Sequence, residues 1–90
     1  MIQAIRIIVH GRVQGVWFRA GTKEKAVELC ISGWVKNRPE GTVEIHAEGK
    51  KNQLDNFISW CRKGTPEANV TSVDLTSISL ENFTSFEIRF

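Results

Sequence analysis

Two stretches of this chain repeat their apolar residues at helical spacing, and each is flanked by stretches that alternate. This switching of period constrains the fold more than any other feature. Ile5, Ile7 and Val9 alternate with Arg6, Ile8 and His10, a period of two that predicts a strand. Phe18, Thr22, Ala26 and Leu29 then share one face of a helix that begins between Phe18 and Thr22 and ends near Leu29. Gly33–Lys36 and Thr42–Glu48 read as strands joined by the turn Asn37–Gly41, where Pro39 fixes φ and Gly41 tolerates a positive one. Val43, Ile45 and Ala47 occupy one face of the later strand; Glu44, His46 and Glu48 occupy the other. Asn52 is a candidate cap for a second helix with the stripe Leu54, Phe57, Ile58 and Cys61, and Gly64 and Pro66 end it. The spacing of Val70, Val73 and Leu75 predicts a bulged strand, and Phe86, Ile88 and Phe90 predict a short closing strand.

The resulting order is β-α-β-β-α-β with a short terminal strand. One apolar face per strand and one stripe per helix are buried most economically by packing both helices on one face of an antiparallel sheet. The expected fold class is therefore α+β, a ferredoxin-like βαββαβ sandwich spanning residues 1–90 as one domain. The far face of the sheet, bearing Arg6, Lys36, Glu44, His46 and Glu48, is expected to be largely solvated. A composition of 41% hydrophobic and 24% charged residues excludes a disordered chain. No apolar run exceeds three residues, against the roughly 20 that a membrane helix needs, so no membrane association is expected. A net charge of +2 is too mild for bulk nucleic-acid binding, and the two central strands lack the aromatics of an RNA-binding sheet. Cys30 and Cys61 are too few and too far apart for a disulfide scaffold or zinc site, which points to free thiols and a cytoplasmic location. His10 and His46 read as separate, solvated residues rather than metal ligands.

The segment with most chemical content is Gly11-Arg12-Val13-Gln14-Gly15-Val16-Trp17-Phe18-Arg19, between the first strand and the first helix. Glycines allow successive backbone N–H groups to turn inward as a nest of donors. A helix N-terminus adds partial positive charge, and Arg19 offers a planar fork suited to two phosphate oxygens. The same residues also fit a plain turn followed by a solvated arginine. Asn37, at the end of a strand, can accept and donate at once and so orient a water, although Asn is equally a common turn residue.

Together, GRVQGVWFR at 11–19 and Gly33-Trp34-Val35-Lys36-Asn37 resemble the acylphosphatases, whose pattern is GRVQGV-x-FR followed at fixed distance by A-x-x-LGL-x-GWV-x-N. Ala26, Leu29, Ile31 and Gly41 fall in register with it. The similarity continues through Phe57, Trp60, Gly64, Pro66, Ala68 and Val70 to the closing strand. The resemblance implies hydrolysis of the carboxyl–phosphate bond of acyl phosphates, with no metal and no cofactor. It implies that Arg19 binds phosphate and that Asn37 orients the attacking water. Gly15, Val16, Trp17 and Phe18, with the N–H of Arg19, would form the phosphate cradle. The expected partners are a small acyl phosphate and, as a product-like ligand, inorganic phosphate or sulfate, bound by a monomer. The competing function is a non-catalytic phosphate- or anion-binding regulatory module on the same fold. Cys30 departs from the pattern: it stands where the family has a glycine suited to a left-handed helix end, so strain or a shifted helix end is expected there.

Overall fold

β1 (Ile2–Arg12) is an interior strand and feeds α1 (Phe18–Glu28), which returns the chain to β2 (Ser32–Asn37). A turn leads into β3 (Val43–Lys50), followed directly by α2 (Lys51–Lys63), β4 (Asn69–Ile78) and β5 (Phe86–Arg89). The computed structural model describes residues 1–90. All five strands join one sheet in the order β4-β1-β3-β2-β5. The first four strands form the expected antiparallel βαββαβ sheet. β5 departs from it by pairing with β2 in parallel, Gly33 opposite Phe86 and Lys36 opposite Arg89. The chain leaves β4 at one edge of the sheet and must reach the other, and segment 79–85 makes that crossing.

The helix-facing side of the sheet contributes Ile7, Val9, Val35, Val43, Ile45 and Ala47, all fully buried. Phe18 and Ala26 from α1 and Leu54, Phe57 and Cys61 from α2 pack against them, as the two apolar stripes require. Complete burial of a side chain such as Phe57 or Ile45 contributes about 1.5–3 kcal/mol relative to exposure. The predicted bulge is present: His10 pairs with Ser72 but Gly11 pairs with Val70, which leaves Thr71 as the extra residue. Both cysteines are free, Cys30 exposed and Cys61 buried, and burial pushes the Cys61 thiol strongly up.

Two local expectations need correction, and a third is decided between its two alternatives. Asn52 does not cap α2, because the chain is already helical at Lys51; instead the Lys50 N–H donates to Gln53 Oε1 at 3.0 Å. α1 keeps its expected end, and Cys30 takes the strained alternative, a left-handed φ of 59°. The far face of the sheet is only partly solvated. His46 and Glu48 are buried there under segment 79–85, because Glu48 accepts the N–H groups of Glu81 and Phe83 at 2.7 and 3.1 Å. His46 Nε2 lies 2.8 Å from the same carboxylate, and its ring is held between Trp34 and Phe83. Neither residue is the solvated group that the alternating pattern of β3 suggests. His10 is half-exposed and bonds Asp74 at 2.8 Å.

Candidate active site

The loop from Val13 to Trp17 joins β1 to α1 and is fastened at several points. Val13 and Val16 are buried in the core, and the Thr65 hydroxyl donates to the Val16 carbonyl at 2.7 Å. Between these anchors the backbone turns left-handed at Gly15 (φ 73°), and just past them it does so again at Trp17 (φ 64°). A Cβ on Gly15 would meet nothing within 4 Å, so glycine is needed there for its conformation and not for space. At Trp17, a bulky residue, the same conformation costs on the order of 1–3 kcal/mol, a strain characteristic of binding loops.

Trp17 is also the N-cap of α1, and it caps nothing with its side chain. No acidic residue stands in the first turn. The N–H groups opening the helix and the positive end of its dipole therefore remain uncompensated beside the loop. Arg19 occupies that first turn. Its guanidinium lies 4.9 Å from the centroid of the Phe90 ring, and Nη1 donates to the Arg89 carbonyl at 3.5 Å. So long a bond is weak and readily exchanged for charged oxygens.

Asn37 ends β2 opposite Val43, on the same face as the buried Val35, and so points toward α1. Its Oδ1 is buried and has no hydrogen-bond partner in the protein. Leaving such an atom unpaired costs about 1–3 kcal/mol, and an unpinned carboxamide can turn toward a bound water. Gly15, Trp17, Phe18, Arg19 and Asn37 line one cavity of about 310 Å³, and Arg19 and Asn37 are its only polar side chains. Ile88 and Phe90 of the C-terminal segment complete its apolar wall, with Val13 and Ala20. Trp17 and Phe90 are 76% and 97% exposed, so both aromatics stand at the mouth.

The neighbouring charges do not enter this cavity. Arg38 pairs with Glu40 at 3.0 Å, and Lys36 lies over the Trp34 ring. The Thr42 hydroxyl donates to Glu40 at 2.9 Å. Backbone N–H donation and this hydroxyl hold the Glu40 carboxyl below its usual range.

The acylphosphatase family model matches residues 5–88. The acylphosphatase of Methylococcus capsulatus is 43% identical over 88 residues, covering 97% of this chain and 96% of that protein. That of Acaryochloris marina is 44% identical, with 97% and 94% covered. The crystal structure of acylphosphatase from Bacillus subtilis superposes with a TM-score of 0.95 at 44% identity and full coverage of both chains. The chain belongs to the acylphosphatase family.

Within this acylphosphatase fold, five of the residues singled out from sequence converge on the cavity: Gly15, Trp17, Phe18, Arg19 and Asn37. Val16 does not line it, since its side chain faces the core. Sequence reasoning missed the contribution of Ile88 and Phe90, because alternation along β5 says nothing about which strand it joins. It also missed Thr65, which carries no signal beyond following the helix-stopping Gly64.

Proposed function

We propose that Arg19, the loop N–H groups of residues 15–19 and Asn37 carry out the acyl phosphate hydrolysis that membership of the acylphosphatase family assigns to this chain. The loop and the start of α1 would hold the phosphoryl group through backbone donors, and Arg19 would leave the Arg89 carbonyl to grip two phosphoryl oxygens. Phosphoryl transfer passes through a loose transition state with charge spread over these oxygens, so fixed donors stabilise it as it forms. The carboxylate is a good leaving group, and Asn37 would place the attacking water in line. The cavity offers no carboxylate, histidine or thiol to serve as a base, so the water's proton would go to a phosphoryl oxygen of the substrate. The carrying observation is the buried, unpartnered Asn37 Oδ1 on the wall shared by Gly15 and Arg19.

Our reading extends to a metal-independent enzyme that acts as a monomer, with residues 1–90 as one catalytic domain and inorganic phosphate as its second product. Free thiols at Cys30 and Cys61 support a reducing, cytoplasmic setting. No helix is long and apolar enough to cross a membrane. The non-catalytic module has no specific observation in its favour.

Benzoyl phosphate hydrolysis, followed by ultraviolet absorbance with EDTA present, tests the reading. Full activity is expected in EDTA. Asn37→Ala is expected to lower kcat by about a hundredfold or more while competitive inhibition by inorganic phosphate persists. Loss of turnover in EDTA, restored by a divalent ion, would refute metal independence. Unchanged kcat in Asn37→Ala would remove that residue from the mechanism.

A further inference from the structure

Gln14 stands one residue before the loop glycine, and its side chain reaches across to the β2–β3 turn. Its Nε2 donates to the Arg38 carbonyl at 2.8 Å and to the Thr42 carbonyl at 2.9 Å. Carbonyls only accept, so the amide orientation is fixed: the nitrogen must face the turn. The two acceptors frame the cross-strand pair Asn37–Val43, since Arg38 follows Asn37 and Thr42 precedes Val43. The turn itself is closed without Gln14. The Arg38 N–H donates to the Thr42 carbonyl at 2.9 Å, and the Gly41 N–H to the Arg38 carbonyl at 3.0 Å. What Gln14 adds is attachment: it couples the turn behind Asn37 to the loop that begins at Gly15.

We propose that Gln14 is a positioning residue that sets the separation between the loop cradle and Asn37, and hence between phosphorus and the attacking water. This rests on the role given to Asn37 above. In-line attack is sensitive to displacement, and a shift near 1 Å costs on the order of a hundredfold in rate. Phosphate binding draws on loop N–H groups, the helix start and Arg19, and the Gln14 side chain bonds none of these, only the Arg38 and Thr42 carbonyls. Loss of its two bonds should therefore appear in kcat and spare phosphate affinity.

Gln14→Met keeps the length and removes the donors. Its kcat on benzoyl phosphate is expected to fall about tenfold to a hundredfold, with the inhibition constant of inorganic phosphate within about twofold of wild type. In ¹H–¹⁵N spectra of the same folded sample, the Asn37 side-chain amide should shift and broaden while the backbone amides of residues 15–19 hold their positions. Gln14→Glu is the second variant. Ionised, it repels both carbonyls; protonated, it restores one donor, so its kcat relative to wild type should rise as pH falls. Wild-type kcat in Gln14→Met would overturn the proposal. So would a parallel loss of kcat and phosphate affinity, which would make Gln14 a support of the cradle instead. Should wild type fail to turn over, the proposed function falls, whereas the Asn37 resonances still report whether Gln14 places that side chain.

Discussion

Cys30 holds a left-handed φ of 59° just beyond α1, and its N–H donates to the Val27 carbonyl at 3.2 Å. The helix needs that conformation to turn into β2, and a residue with a Cβ adopts it at a cost of roughly 1–2 kcal/mol. Glycine adopts it freely but loses more entropy on folding, which offsets part of the gain. Cys30→Gly is therefore expected to stabilise the protein by about 1 kcal/mol in urea denaturation. An equal or lower midpoint would mean that the exposed cysteine is not strained. This strain was legible from the sequence because a family pattern marked the position as glycine. Arg19 and Asn37 were legible for the same reason, lying in motifs whose spacing matches a known site. His46 and Glu48 were not. Alternation places them on the far face of β3, but their burial depends on segment 79–85, whose bonds to Glu48 come from 33 and 35 residues farther along the chain, beyond any local signal.

At the scale of elements, the order of strands and helices followed from periodicity, but the tie points between them did not. The closing strand was visible in Phe86, Ile88 and Phe90, yet only its parallel docking beside β2 brings Phe90 over Arg19. Thr65 is a tie of the same kind. Lying between α2 and β4, it donates to the Val16 carbonyl and so braces the middle of the cradle from below. A hydrogen bond of this sort contributes about 1 kcal/mol net, which corresponds to about fivefold in an equilibrium constant. Thr65→Val keeps the shape and removes the donor. Inorganic phosphate should then inhibit about fivefold more weakly, because the loop must be reordered on binding. Inhibition and isothermal titration measure this directly. Undiminished phosphate affinity in the variant would show that Val13, Val16 and the helix start hold the loop unaided.

On the scale of the whole molecule, Glu48 joins parts far apart in sequence. It sits on the central strand and accepts the N–H groups of Glu81 and Phe83, fastening the only chain crossing between the sheet's two edges. Burial raises its pKa, but the bonds from Glu81, His46 and Phe83 together outweigh burial and hold the carboxyl below its usual value of 4.5. A lowered pKa in the folded state means that the unfolded chain binds the proton more readily. The carboxylate's contribution is thus complete above about pH 4.5 and disappears as pH falls through the depressed folded value. His46, 2.8 Å away, and Glu81, 3.7 Å from its Nδ1, are the titratable groups that share this site. Glu48→Gln retains one acceptor and turns an NH₂ toward donors. It should cost about 1–3 kcal/mol at neutral pH. Below pH 4.5 the gap should close, since wild type loses its carboxylate while the amide does not titrate. Urea denaturation of both proteins between pH 3 and 8 makes the comparison. Parallel stability curves over that range would mean that segment 79–85 is held by Phe83 packing on His46 and not by the buried charge.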